Sequence, residues 1–116
     1  DKMMTGVLQS YVALYVPTTI HVNQPSDTTE HVRLVQIKFS GWFGAETTTE
    51  RFGGYIASTG EMVDEKVYEV KSFCSTEQLV EQFPNVVALG DQLCRELDQE
   101  SIAGEVNNKM FFMNGM

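Results

Sequence analysis

The sequence predicts an α+β domain of the ferredoxin-like split β-α-β-β-α-β type, with a C-terminal hairpin and two helices on one face of an antiparallel sheet. Two stretches with apolar residues at three- and four-residue steps mark the helices, and strand-like runs stand before, between and after them. The length, 116 residues, suits one domain, and an apolar content of 42 % supplies a core without metals or disulfides. Residues 1–116 are read as that single domain, with residues 1–8 as an unstructured lead-in.

Residues 11–16 form a β-branched and aromatic run closed by Pro17, which cannot donate to a central ladder. Residues 18–22 are expected to extend this strand beyond a kink, and Gln24-Pro25-Ser26 to turn. Asp27 with Glu30 has capping-box spacing for a first helix, whose face is Val32, Val35, Phe39, Trp42 and Phe43, stopped by Gly41 and Gly44. Residues 47–58 read as a second strand, with a bulge or a close backbone approach at Gly53-Gly54. A turn at residues 58–61 leads to a third strand over residues 62–74, one face of it wet. Ser75 with Gln78 repeats the capping box, and Leu79, Val80, Phe83, Val86, Val87, Leu93, Cys94 and Leu97 mark the stripe of a long second helix that Pro84 should kink or restart. Residues 101–106 and 109–113 then form a hairpin, because Asn107-Asn108 accepts the positive φ angles of a tight turn.

Sixteen Asp plus Glu against eight Lys plus Arg give a formal net charge of −8, which disfavours direct binding to nucleic acid. No run suits a membrane span or a signal peptide, so a cytoplasmic protein is expected. Cys74 and Cys94 fit no CxxC spacing and read as free, buried thiols; only Cys74, at a strand end, is not dismissed as a nucleophile. His21 and His31 lack ligand spacing, so no metal or cofactor is expected. Asp64-Glu65 point to opposite faces of a strand, and Glu96, Asp98 and Glu100 crowd a helix end, so neither set reads as an acid/base dyad. The glycines match no phosphate-binding loop. We therefore expect no catalytic residue and no enzyme.

Two features point instead to protein binding. Glu77, Glu81, Asp91 and Glu96 on helix two, with Glu61, Asp64 and Glu65 on the hairpin, suggest an acidic surface that imitates phosphates, set against the plainer reading of solvated faces. Trp42 is a candidate anchor, though its place on the stripe with Val35 and Phe39 favours the core.

Several runs, in order, resemble small uncharacterised proteins carried by plasmids and integrative conjugative elements of Gram-positive bacteria. They are LYVPTTIHVN at 14–23, Phe43-Gly44-Ala45 with the threonines after it, Gly54-Tyr55, Glu65-Lys66, KSFCSTEQL at 71–79, Gln99-Glu100-Ser101-Ile102 and Glu105-Val106-Asn107. Ile56 and Asn108 depart from that pattern, where an aromatic residue and a turn glycine are expected. The resemblance implies an accessory factor that disarms host defences, and no catalytic residue comes with it. The expected function is thus a non-enzymatic anti-defence protein, an anti-CRISPR whose acidic surface binds a type II RNA-guided nuclease as a monomer or homodimer. The alternatives are a structural or regulatory oligomer of the conjugative element and a small enzyme or ligand binder on a ferredoxin-like scaffold.

Overall fold

The computed structural model describes residues 6–116. Its elements are β1 (Ser10–Pro17), β2 (Thr19–Ile20), β3 (Gln24–Pro25), α1 (Thr29–Phe43), β4 (Thr47–Ile56), β5 (Met62–Cys74), α2 (Thr76–Glu96), β6 (Ile102–Val106) and β7 (Lys109–Met113). Five strands form one sheet in the order β4-β5-β1-β6-β7, with every neighbouring pair antiparallel. This is the split β-α-β-β-α-β topology with one strand added at the edge. Of the expected lead-in, residues 1–5 lie outside the described residues, and Gly6, Val7 and Leu8 are exposed.

Both helices lie on one face. There Val12, Leu14 and Val16 of β1, Val70 and Cys74 of β5, Ile102 and Met113 meet Val35 and Phe39 of α1 and Val86, Leu89 and Leu93 of α2. Among the described residues no helix is long and apolar enough to cross a membrane.

Local chemistry explains where the expectations hold and where they give way. The capping box of α2 forms, Ser75 accepting from the Gln78 amide and Gln78 from the Ser75 amide. At α1 there is none, because Asp27 accepts from Thr29 and the Thr28 hydroxyl donates to the Pro17 carbonyl. Pro84 neither ends nor divides α2. The turn before it carries exposed Val80, which lies off the buried stripe, so the carbonyl that loses its donor can be hydrated. Gly53 and Gly54 pair in unbroken register with Glu65 and Asp64, so there is no bulge. Gly54 does meet a close approach, since a Cβ there would lie 2.4 Å from Met62 Cε and 3.0 Å from the Val63 carbonyl oxygen. Beyond Pro17 the chain leaves the main sheet: Thr19–Ile20 pairs with Gln24–Pro25 in a separate two-stranded sheet, so Gln24 and Pro25 are strand where a turn is expected. His21 and Val22 turn with φ of 48° and 71°, held by amide bonds to the carbonyls of Leu97 and Asp98. Asn107 and Asn108 take φ of 47° and 68°, as the turn requires.

Gly104 fixes the spacing between β6 and β7. Phe111, its cross-strand partner, lies over it, and the ring also packs 5.1 Å from that of Phe83 on α2. A Cβ at position 104 would meet that ring at 2.4 Å. Gly104→Ala should therefore lower stability by about 1–3 kcal/mol, read as a reduced thermal midpoint. An unchanged midpoint would show that the ring moves aside freely.

Candidate active site

Alternation along β1 sorts its side chains. Val12, Leu14 and Val16 enter the core, so Tyr11, Ala13 and Tyr15 face the side of the sheet that carries no helix. The antiparallel registers decide what meets them. Tyr15 stands opposite Glu69, Tyr11 opposite Phe73, and Ala13 between Lys71 on β5 and Glu105 on β6. Ala13 has no exposed surface. Its small side chain is covered by these longer neighbours, which close over it.

Each oxygen of Glu105 accepts from one phenol: Oε1 from Tyr15 at 2.8 Å, and Oε2 from Tyr11. The Tyr15 hydroxyl also lies 3.1 Å from Glu69 Oε2. With one proton to give, it serves one carboxylate at a time. Glu69 Oε1 accepts from Arg51 Nη2 at 2.9 Å and Nε at 3.1 Å. Arg51 reaches it diagonally from edge strand β4, where Thr49 is the residue directly opposite Glu69. Tyr11 is set by the β6–β7 turn, since its amide donates to Asn107 Oδ1 at 2.9 Å and its hydroxyl accepts from the Asn108 amide at 2.8 Å.

These contacts shape the acidities. The bond from Tyr11, then that from Tyr15, holds the Glu105 carboxyl below the usual range. Burial, then the bond to Glu105 and the charge of Glu69, pushes the Tyr15 hydroxyl well up. Tyr11 is raised as well, chiefly by its bond to Glu105. The cluster thus sets two carboxylates, one guanidinium and two phenols side by side. A groove of about 220 Å³ adjoins it, lined by Tyr15, Glu65, Val67, Gln99, Ser101 and Ala103 among others. Such a set can hold a cationic group of a small ligand and fix its orientation.

The residues expected to bind a partner lie elsewhere, Glu65 alone reaching the groove. Glu77 and Glu81 are exposed on α2, Asp91 accepts from the Gly115 amide, and Glu96 pairs with His31 at 3.2 Å. Glu61, Asp64 and Glu65 lie at the far end of the β4–β5 hairpin. Asp64 and Glu65 lie within β5, and the nine residues from Lys66 to Cys74, ~30 Å at ~3.3 Å per residue, separate them from the start of α2, so they form no single acidic patch with Glu77. Trp42 is half-buried against the rings of Phe39 and Phe43, at 6.1 and 6.4 Å. Both cysteines are buried, and burial pushes both thiols up, away from nucleophilic reactivity. Among the described residues no three His, Cys, Asp or Glu converge as metal ligands.

The sequence reading weighed carboxylates adjacent in the chain and missed the pair that folding unites, Glu69 and Glu105. The available signal was the polar face of β1, where two tyrosines alternate with core valines and leucine, together with a glutamate next to the buried Val70.

No protein-family model matches the chain, and no curated protein shows detectable similarity. Among solved structures, the fold is shared by a phage SAM lyase in complex with S-methyl-5′-thioadenosine, at TM-score 0.66 and 19 % identity over 95 % of both chains. The apo state of a phage SAM lyase matches at TM-score 0.65 and 18 % identity, over 95 % of this chain and 92 % of that one. At this identity the likeness establishes the fold.

Together with the cluster, these neighbours correct three expectations. A non-enzymatic protein, an acidic surface docked on a type II nuclease and a nuclease partner all give way. Both solved neighbours are described as lyases, one of them holding a small molecule, and a polar cluster occupies the face that sequence reasoning left empty. The further alternative, a small enzyme or ligand binder on this scaffold, fits better.

Two outcomes test the cluster. Arg51→Gln, which leaves a buried carboxylate without its cation, should cost about 1–3 kcal/mol, and adding Glu69→Gln should recover much of it. Additive losses in denaturant titrations would show that the two residues do not interact. Tyr15, with its folded-state pKa raised, contributes stability that is full below ~10 and is lost as pH rises further. Tyr15→Phe should flatten that alkaline decline, and equal slopes in parent and variant would contradict the geometry.

Proposed function

We propose that this chain is a SAM-cleaving lyase acting at Tyr15, Glu69 and Glu105. The observation that carries the reading is the carboxylate pair bridged by one phenol beside a groove, on a fold shared nearly end to end with phage SAM lyases. A lyase that leaves S-methyl-5′-thioadenosine breaks the bond between the sulfonium sulfur and the carbon chain derived from methionine. Both electrons pass to sulfur, which becomes a neutral thioether.

Both carboxylates here make poor bases. Glu105 accepts a phenol on each oxygen, and Glu69 is held by Arg51. A route without proton transfer suits them: the substrate's own carboxylate attacks the carbon bonded to sulfur, closes a lactone and expels the thioether. The site's part is to hold the substrate's ammonium and fold the chain for in-line closure, where orientation alone accounts for large rate factors. In a mobile element, the setting the resemblance implies, consuming SAM would deprive host methylation and SAM-requiring restriction enzymes of a reactant. The anti-defence theme stays and its means changes.

Purified protein incubated with SAM should release S-methyl-5′-thioadenosine, detected by mass spectrometry. Glu69→Gln and Glu105→Gln should each slow release by about 100-fold or more. Absence of the thioether, together with no heat of SAM binding, would overturn the proposal.

A further inference from the structure

Lys71 stands beside Glu105 across Ala13, yet among the described residues it makes no ion pair. Its ammonium instead lies 4.1 Å from the ring centre of Tyr11 and 5.0 Å from that of Phe73. The two rings are neighbours, 5.8 Å apart and tilted by 57°. Both oxygens of Glu105 are already occupied by phenols, which leaves the aromatic faces as the resting place for the cation. Phe73 is 55 % exposed, an apolar ring standing open on the sheet face. Quadrupoles of two converging rings attract any compact cation, sulfonium and quaternary ammonium groups included.

We propose that Tyr11 and Phe73 form a seat for the sulfonium of an adenosyl ligand, and that Lys71 fills this seat with its own ammonium until the ligand displaces it. The proposal rests on the SAM-directed reading above and adds two things, the subsite that recognises the onium charge and an internal competitor for it. Lys71 thereby sets a threshold: a cationic sulfur can replace it, whereas an uncharged thioether makes only the weaker sulfur–aromatic contact and leaves the rings to the lysine. Discrimination between charged substrate and neutral product follows from the same exchange.

The test compares two adenosyl ligands of similar shape by calorimetry. S-adenosylhomocysteine carries a neutral sulfur, and sinefungin a protonated amine at the equivalent place. In Lys71→Met the preference for sinefungin should rise by about 3- to 10-fold, and in Phe73→Leu it should fall by a similar factor, as expected for one cation–π contact. An unchanged or reduced preference in Lys71→Met would overturn the competitor role, and an unchanged preference in Phe73→Leu would overturn the seat. Trimethylsulfonium, titrated while the ring resonances of Tyr11 and Phe73 are followed by NMR, separates this proposal from the adenosyl reading. Shifts that sharpen in affinity in Lys71→Met support the seat even if neither adenosyl ligand binds, in which case the lyase reading alone fails. No ring shifts in either protein would sink the seat.

Discussion

Glu69 is 4 % exposed, although it lies on the side of the sheet that carries no helix. A carboxylate withdrawn from water that far needs a cation and donors, or it is expelled or neutralised. Arg51 answers from one neighbouring strand and Tyr15 from the other, and Tyr15 passes the requirement on to Glu105, which Tyr11 completes. Four strands are thereby tied together by polar groups on the face opposite the core. The arrangement needs every member, since a half-satisfied polar network costs more than an apolar surface would.

Much of the fold was legible because its signals are local. The bounds of β5, the capping box at Ser75 and Gln78, and the Asn107-Asn108 turn each depend on a few neighbouring residues. The start of α1 misled because Asp27 has two nearby uses, a box with Glu30 or a bond to the Thr29 amide, and only the path of the preceding loop selects the second. Pro84 misled for a similar reason: its cost depends on whether the orphaned carbonyl is wet, which is a tertiary fact. The site was largely illegible because Glu69 and Glu105 meet only through the pairings of β1 with β5 and with β6. Charge counting drew attention to the exposed carboxylates, which are numerous, rather than to the two that are sheltered.

The net charge of −8 takes a different meaning in this setting. An acidic protein attracts a cationic small molecule as readily as it attracts a basic groove. The residues that matter most sit away from the carboxylates that dominate the count. Glu77, Glu81 and Glu61 contribute to solubility and to the long-range field, while Arg51 and Lys71 bring the balance at the sheet face itself close to neutral. An exposed surface charge and a sheltered one thus have separate roles in the same molecule.

The hairpin of β4 and β5 pairs ten residues against ten without a bulge, and it carries few packed side chains toward its tip, where Phe52, Ile56 and Met62 are exposed. Such a ribbon relies on its turn at Ala57–Glu61 to prevent slippage by one place. Arg51 adds a second constraint, away from the turn. Moved by a single residue, its side chain would point to the helix side of the sheet and strand Glu69 in a low-polarity environment with no counter-ion. The ion pair therefore acts as a proofreading device for strand alignment, so the chain can verify its own pairing at the spot where its chemistry is assembled.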